Sequence, residues 1–247
     1  MGRRRILYAH MKRALDIVCA AVLLILLCPV FVIISVMICL DSPGPVFFLQ
    51  RRVGRGGGLF RIYKFRTMYT FAPRSVATSE LRNAGAVITP IGRTLRKSSI
   101  DELPQLINVL RGEMSLIGPR PLVPEEAVVH EARQILGAYN VRPGITGWAQ
   151  VNGRDCVNAQ TKAELDAYYA AHLSLRMDAK VILYSVMCVI TARGIQEGGE
   201  VPNDSMEDAV ERPKPRNRQN EWFARYDVES SRVYSRSAGR QPRAPGA

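Results

Sequence analysis

The most regular feature of the hydrophobic pattern is one long apolar run near the start of the chain. Ile17–Leu40, IVCAAVLLILLCPVFVIISVMICL, has 24 residues without a charge. About 20 apolar residues are enough for a helix to cross the hydrocarbon core of a bilayer. No small-residue cleavage site of a signal peptide follows the run. The pattern therefore predicts a membrane helix, and with its basic flank it defines an N-terminal segment of residues 1–40.

Two features of this segment leave its topology open. Pro29 stands near the middle of the run, where a proline removes a helical hydrogen bond and bends the helix. Both flanks are basic, with Lys12 and Arg13 before the run and Arg51 and Arg52 after it, and such clusters stay in the cytoplasm. A helix that is broken at Pro29 and re-enters keeps both flanks on one side, whereas a single spanning helix exports one of them. On the sequence alone the two alternatives are nearly even.

The pattern beyond the apolar run predicts a small, mostly helical domain over residues 41–195. Val46–Gln50 and Leu59–Phe65 are β-rich runs on either side of a glycine-rich loop, which is typical of a β-hairpin. Helical periodicity follows in four further stretches, Pro90–Leu110, Glu125–Leu136, Thr161–Ser174 and Asp178–Thr191. After residue 195 the periodicity fades, which predicts a disordered C-terminal tail over 196–247. The predicted fold class is α+β.

Charge narrows the range of partners. The chain carries 34 Lys and Arg against 22 Asp and Glu. Residues 196–247 contain nine of each, so the basic excess lies entirely in residues 1–195. The positive charge of residues 1–195 favours an anionic partner. Nucleic acid, anionic lipid and phosphorylated small molecules are the possible classes. The five cysteines have no C-x-x-C spacing and the three histidines are scattered, so neither a disulfide framework nor a zinc site is indicated.

The most informative motif is RKSSIDELPQLINVLRGEMSLIGPRP, which runs from Arg96 to Pro121. Its acidic pair, Asp101 and Glu102, has an ordinary structural interpretation. Ser99 followed three residues later by Glu102 fits the capping box of a helix, and carboxylates in a first turn are favoured by the helix dipole. On this interpretation the pair only marks where a helix begins.

The same pair also has a chemical interpretation. Arg96 and Lys97 lie close enough in sequence to keep both carboxylates ionised. An ionised Asp101 can attack phosphorus, and Glu102 can hold Mg²⁺, a hard cation that binds one or two carboxylates together with substrate phosphates. Spacing alone does not separate this interpretation from the structural one.

The Pro-Arg-Pro corner at the end of the motif has two interpretations as well. Arg120, fixed between Pro119 and Pro121, can present a planar guanidinium to a phosphate or a base edge. Alternatively, it is a surface charge on a rigid turn.

Taken together, these pieces resemble one known family. The matching segments are KRALDIV, the proline-containing apolar helix, DSPGPVFFLQRRVG, FRIYKFRTM, RTLRKSSIDELPQLINVLRGEMSLIGPRP and RPGITGWAQVNGR. In this order and spacing, from Lys12 to about Gly194, the chain resembles the bacterial sugar transferases, the small monotopic phosphoglycosyl transferases.

The resemblance implies a reaction and assigns residues to it. Asp101 matches the nucleophile that attacks the β-phosphate of a UDP-sugar, expelling UMP and leaving a phosphosugar on the aspartate. Glu102 matches the Mg²⁺ ligand, and Arg120, in its Pro-Arg-Pro setting, matches a residue that contacts the nucleotide. Undecaprenyl (polyprenyl) phosphate then accepts the phosphosugar, which is the first step of surface polysaccharide or glycoconjugate synthesis.

The resemblance also implies a location. Lys12, Arg13 and Pro29 match the membrane anchor of a re-entrant helix whose two ends stay cytoplasmic, which favours re-entrance over spanning. The expected location is the bacterial inner membrane, with the catalytic domain on the cytoplasmic face. Anionic lipids are expected partners, since each basic residue near their headgroups contributes about 1 kcal/mol to binding.

Five further basic residues are candidates for contact with substrate phosphates: Lys64, Arg66, Arg96, Arg142 and Arg154. The identity of the sugar and the presence of a homodimer are left open by the sequence.

Three rival functions remain. A membrane-tethered nucleic-acid-binding protein fits the positive charge. The sequence contains no recognisable DNA- or RNA-binding motif, however, so no nucleic-acid partner is expected. A glycosyltransferase that moves only the sugar often carries an Asp-x-Asp metal motif, which does not occur here. A non-catalytic scaffold with the family's shape is the third alternative.

Overall fold

A computed structural model of the chain describes residues 3–72, 84–152 and 158–191. Arg154 and the predicted tail, 196–247, lie outside these residues. The helices within the described ranges are α1 Arg3–Asp41, α2 Ala84–Val87, α3 Pro90–Lys97, α4 Gln105–Arg111, α5 Ala127–Leu136, α6 Trp148–Asn152, α7 Ala159–Ala171 and α8 Leu175–Thr191. The strands are β1 Phe47–Val53, β2 Leu59–Phe65, β3 Ser115–Ile117 and β4 Gly144–Thr146. The mixed helix and strand content agrees with the predicted class.

The apolar run forms α1, which is 39 residues long and would extend about 58 Å if straight. Pro29 lies inside the helix, and the helical backbone continues through it. The prediction that the helix is broken at Pro29 is therefore wrong for the secondary structure, because one missing amide hydrogen interrupts only one hydrogen bond of the ladder. The re-entrant course of the helix stays a prediction. Among the described residues, one helix, α1 over Arg5–Asp41, is long and apolar enough to cross a membrane.

One side of α1 packs along the elements that follow it. In the first half of the helix, Ala20 joins Ile62 of β2 and Val109 of α4 in a buried cluster. In the second half, Ile34 and Ile38 join a separate cluster. The other buried members of that second cluster are Phe65 of β2 and Leu95 of α3. The helix and the following elements thus form a single packed unit.

The other side of α1 leaves large apolar side chains exposed. Those more than half exposed include Val18, Ile25, Leu26, Val32, Ile33, Val36 and Leu40. Charged residues are absent from this stretch. An apolar surface of this extent fits membrane association.

The predicted hairpin is confirmed. β1 and β2 pair antiparallel in a register that places Phe47 opposite Phe65 and Val53 opposite Leu59. Gly56 and Gly57 in the connecting turn have φ of 67° and 81°, values that glycine adopts without the steric cost of a Cβ.

A short parallel pair, β3 with β4, positions the Pro-Arg-Pro corner that follows β3. Ser115 lies opposite Gly144 and Ile117 opposite Thr146. At Gly118 a Cβ would lie 2.3 Å from the carbonyl oxygen of Arg142, so the two backbones approach each other this closely only with a glycine there.

A buried ion pair joins α5 to α7 behind this corner. Arg133 donates through Nη2 to Asp166 Oδ2 and through Nη1 to the carbonyl oxygen of Arg120, the latter at 2.9 Å. Arg133 and Asp166 are each 1% exposed. The predicted helix Glu125–Leu136 is present as α5, but its motif gave no sign that Arg133 points inward.

Replacing Asp166 by alanine is expected to destabilise the protein by about 3–5 kcal/mol, because Arg133 would stay buried without its counter-charge. Chemical denaturation in detergent measures the change. Glu164→Ala on the same helix removes a less buried carboxylate and is the control, with an expected change of about 0.5 kcal/mol or less. If both substitutions lower the free energy of unfolding equally, the buried ion pair does not stabilise the protein more than a less buried carboxylate does.

Candidate active site

The acidic pair lies in a sharp connection between two helices. The predicted single helix Pro90–Leu110 is divided into α3, a 3₁₀ turn Ile100–Glu102 and α4. Ser99 has φ of 57° and its side chain makes no capping bond, so the predicted capping box is wrong. The left-handed backbone at Ser99 changes the direction of the chain, and it is the one described non-glycine residue with positive φ.

Glu102 is held by two cations that come from distant parts of the chain. Lys64 of β2 lies 2.8 Å from Glu102 Oε1. Arg120 donates through Nη2 to Oε1 at 2.8 Å and through Nη1 to Oε2 at 3.3 Å. Burial by itself would raise the pKa of Glu102, but the charges and hydrogen bonds of Arg120 and Lys64 outweigh burial and hold it well below its ordinary value. Glu102 is therefore ionised at neutral pH.

Asp101 differs from its neighbour in having no hydrogen-bond partner for its carboxylate among the residues that the structure describes. It is 8% exposed. Burial raises the pKa of Asp101; Lys64 opposes this, Glu102 adds to it, and Arg96 and Arg120 lower it. The result is a desolvated carboxylate with unused lone pairs in a mainly positive field.

Arg96 stands near the pair from the side of α3. Its Nε donates to Thr67 Oγ1 at 2.8 Å, which fixes the guanidinium. Its charge is close enough to Asp101 to lower that group's pKa. The structure thus brings together five of the predicted site residues: Lys64, Arg96, Asp101, Glu102 and Arg120.

A small, open pocket adjoins the cluster. It is lined by Arg52, Ile62, Lys64, Gln105, Arg120 and Pro121, and is called the cationic pocket below. Pro121 is buried, and so is Pro119, whose carbonyl oxygen accepts from the Gly144 amide at 2.9 Å. The two prolines therefore shape the corner that carries Arg120.

Sequence reasoning missed Arg52 and Gln105 as members of this site. Arg52 donates to Gln50 Oε1 at 2.6 Å and to the Pro121 carbonyl oxygen at 3.3 Å. Burial, together with the nearby charge of Arg120, lowers the pKa of Arg52 to about 10. In the hairpin, Arg52 lies on the same face as Lys64, because side chains alternate between the two faces of a strand. The predicted hairpin therefore held a signal that Arg52 is near the site.

Two predicted phosphate ligands have other partners. Arg66 is buried, and its guanidinium donates to the carbonyl oxygens of Pro43, Ile38 and Ser42 at 2.8, 3.2 and 2.5 Å. These bonds satisfy carbonyls at the end of α1, and the phosphate contact of Arg66 stays a prediction. Arg142 donates to the Gly112 carbonyl oxygen at 2.9 Å, and the structure does not bring it to the acidic pair.

The predicted anchor residues also face the protein. Lys12, 9% exposed, lies 2.9 Å from Asp178 and 3.6 Å from Asp16. Arg13 donates to the Val109 carbonyl oxygen at 2.8 Å. Both residues therefore fasten α1 to α8 and α4, and their role as membrane anchors stays a prediction.

The donor set near Asp101 suits one kind of metal site. The described residues contain no group of three or more His, Cys, Asp and Glu that could hold a metal ion. Asp101 and Glu102 supply two carboxylates, which matches Mg²⁺ held jointly by one or two carboxylates and substrate phosphates. An all-protein metal site is not supported by these residues.

Comparison with known proteins gives a consistent result. A family model described as "Bacterial sugar transferase" matches residues 7–192. The "UDP-N-acetylgalactosamine-undecaprenyl-phosphate N-acetylgalactosaminephosphotransferase" of Aeromonas hydrophila is 40% identical over 195 residues, which cover 76% of this chain and 45% of the relative.

Two further relatives differ in how much of them is matched. The "Undecaprenyl-phosphate glucose phosphotransferase" of Komagataeibacter xylinus is 41% identical over 194 residues, covering 74% of this chain and 36% of the relative. The "Uncharacterized sugar transferase EpsL" of Bacillus subtilis is 39% identical over 197 residues, covering 77% of this chain and 93% of the relative.

The chain spans less than half the length of the Aeromonas and Komagataeibacter relatives. The matched segment nevertheless contains most of α1, the whole hairpin and the five predicted site residues that the structure brings together. This chain belongs to the bacterial sugar transferase family.

Proposed function

We propose that the protein transfers a sugar 1-phosphate from a UDP-sugar to undecaprenyl phosphate and releases UMP, with Asp101 as the covalent nucleophile. The observation that carries the proposal is the difference between the two carboxylates of the acidic pair. Glu102 is neutralised by Lys64 and Arg120, while Asp101 beside it is buried and has no hydrogen-bond partner among the described residues. The names of the Aeromonas and Komagataeibacter relatives, both phosphotransferases with undecaprenyl phosphate, support the same reaction class.

The first step is attack on the donor. A carboxylate oxygen of Asp101 forms a bond to the β-phosphorus while the bond from that phosphorus to the bridging oxygen breaks. The electron pair of the broken bond leaves on UMP. Burial without a hydrogen-bond partner leaves the carboxylate poorly solvated, and an ionised carboxylate of this kind is a competent nucleophile.

The second step returns the enzyme to its starting state. A phosphate oxygen of undecaprenyl phosphate attacks the same phosphorus, and the bond from that phosphorus to Asp101 breaks, so the electron pair returns to the carboxylate. The product is undecaprenyl diphosphate sugar. Because the two substrates react in turn, one small site serves both the soluble and the lipid-bound reactant.

The cations around the dyad stabilise the charge that moves in both steps. Lys64, Arg96 and Arg120 are within electrostatic reach of Asp101, and Arg52 lines the adjoining cationic pocket. Guanidinium and ammonium groups fixed in a site of low polarity stabilise phosphoryl transfer without reorganising. The same groups account for the affinity that a diphosphate needs.

Mg²⁺ fits this site through Glu102, with substrate phosphates completing its coordination. When bound, the ion supplies charge neutralisation and polarises the phosphoryl oxygens. Lys64 and Arg120 hold the Glu102 carboxylate in a fixed orientation, which positions it as a ligand.

The contacts of α1 support a one-sided membrane topology. Arg5 near the start of the helix donates to the Ala170 carbonyl oxygen, and Ile38 near its end packs with Leu95. Since elements of the same packed unit contact both ends, we propose that both ends of α1 and the site lie at the cytoplasmic face of the inner membrane.

The released nucleotide tests the reaction. Purified protein with Mg²⁺ and undecaprenyl phosphate is expected to release UMP from at least one of UDP-glucose, UDP-galactose and their N-acetylhexosamine analogues, and to lose activity in EDTA. Asp101→Asn is expected to reduce the rate by about 10³-fold or more, because the nucleophile is removed. Quenching the wild-type protein with donor alone should trap a phosphosugar adduct on Asp101.

Glu131→Gln, which alters an exposed carboxylate on α5, is the control and should leave the rate unchanged. Release of UDP in place of UMP would indicate transfer of the sugar alone. Full activity of a folded Asp101→Asn protein would refute the covalent mechanism.

The acid limb of kcat/KM against pH is expected to report the ionisation of Asp101, since this group must be deprotonated to attack. Arg96 lowers the pKa of Asp101, so Arg96→Gln should raise that pKa and move the limb to higher pH. Lys97→Gln, on the neighbouring exposed position, should leave the limb where it is. A limb that stays fixed in the Arg96→Gln protein would show that another group controls the rate.

Cysteine labelling tests the topology. His10→Cys and Arg51→Cys, both exposed and on opposite sides of the apolar run, are introduced separately in a background without other cysteines. A membrane-impermeant maleimide is expected to label both in inverted vesicles and neither in intact spheroplasts. Ile25→Cys in the apolar run serves as the protected control. Labelling of one position from the outside alone would indicate a spanning helix.

A further inference from the structure

Gln105, the first residue of α4, lines the cationic pocket with only 1% of its surface exposed. Its Oε1 atom has no hydrogen-bond partner within the part of the chain that the structure describes. A buried acceptor without a partner destabilises the folded protein, so such a group is rare unless something else completes it. The position in the pocket suggests that a ligand does so.

A neighbouring amide on the same helix shows what a structural role looks like. Asn108 Oδ1 accepts from the Tyr63 amide at 3.0 Å. Asn108 Nδ2 donates to the Arg61 carbonyl oxygen and to Glu113 Oε2, both at 2.7 Å. Every polar atom of this side chain is used to join α4 to β2, whereas the acceptor of Gln105 is not used by the protein.

A second residue of the pocket wall has an unused donor. Arg52 Nε is buried and has no hydrogen-bond partner among the residues that the structure describes, although the Nη atoms of Arg52 are bonded. Arg52 and Gln105 both line the pocket. A ligand group that both accepts and donates, such as a hydroxyl or an amide, is the complement of this pair.

The phosphates of the donor cannot supply the bond to Gln105. Phosphate oxygens that are ionised only accept hydrogen bonds, and Arg52, Lys64 and Arg120 in the same pocket are suited to bind them. Gln105 Oε1 needs a hydrogen from another part of the same molecule. In a UDP-sugar, hydroxyl and N–H groups occur on the sugar at one end of the diphosphate and on the ribose and uracil at the other.

We propose that Gln105 is a substrate-binding residue whose Oε1 accepts a hydrogen bond from a hydroxyl or N–H group of the UDP-sugar donor, next to its diphosphate. The inference rests on the proposed function and deepens it, because it adds recognition of an uncharged part of the donor to a site whose other groups recognise phosphate.

Gln105→Met tests the inference, since methionine has a similar shape and cannot accept the bond. Binding is measured by calorimetry in the Asp101→Asn background, which prevents turnover, with UDP-sugar, UDP and inorganic pyrophosphate as probes. The UDP-sugar is the one from which the wild-type protein releases nucleotide most rapidly. Its affinity is expected to fall on the order of 10-fold, and pyrophosphate affinity should not change.

The probe UDP separates the two sources of the hydrogen. If the group is on the sugar, Gln105→Met weakens UDP-sugar but not UDP. If it is on the nucleoside, both weaken by the same factor. Gln150→Met is the matched control, because Gln150 also has a buried Oε1 without a partner but does not line the pocket, and it should bind all three probes like the parent.

Unchanged affinity of Gln105→Met for every probe would overturn the inference, as would failure of the parent protein to bind any of them. If the Gln105→Met protein does not fold, Gln105→Leu replaces it. As a second measurement, kcat/KM of the wild-type protein is compared between the UDP-sugar and its 2-deoxy analogue. Suppose that Gln105→Met weakens UDP-sugar binding about tenfold, but that the wild-type protein releases UDP in place of UMP. The proposed reaction would then be wrong, and the role of Gln105 in binding would stand.

Discussion

The candidate site depends on one constraint, the burial of the Glu102 carboxylate. A buried charge is stable only beside compensating charges, and here these come from Lys64 on β2 and Arg120 after β3. The ion cluster therefore joins three parts of the chain that are far apart in sequence. It also distinguishes two adjacent carboxylates, since Glu102 pairs with the cations whereas Asp101 has no hydrogen-bond partner among the described residues.

The membrane helix and the catalytic elements form one packed unit, joined by buried polar contacts as well as by apolar packing. Lys12 of α1 pairs with Asp178 of α8, and Asp16 of α1 accepts from Ser115 Oγ at 2.7 Å. Polar contacts of this kind allow less sliding than an apolar face, because each has a required partner. They fix the position of the acidic pair relative to the apolar surface of α1, as the proposed reaction between a lipid phosphate and a soluble nucleotide requires.

Several parts of this architecture were predictable from local patterns. Two β-rich runs on either side of a glycine-rich loop predicted the β1–β2 hairpin, and helical periodicity predicted α5 to within two residues. Asp101, Glu102 and Arg120 were chosen from the motif itself. Such features are readable because hydrogen bonding between near neighbours and the period of side-chain burial are local properties of a chain.

The partners of charged side chains were not predictable in this way. The sequence by itself determined that the chain has a long apolar helix, a hairpin and an acidic pair among basic residues. Only the tertiary structure decided that Arg66 satisfies carbonyls at the end of α1, that Lys12 pairs with Asp178, and that Gln105 lines the pocket. The physical reason is that a long basic or amide side chain bonds to whichever acceptor the folded chain brings near it, and that acceptor is usually remote in sequence.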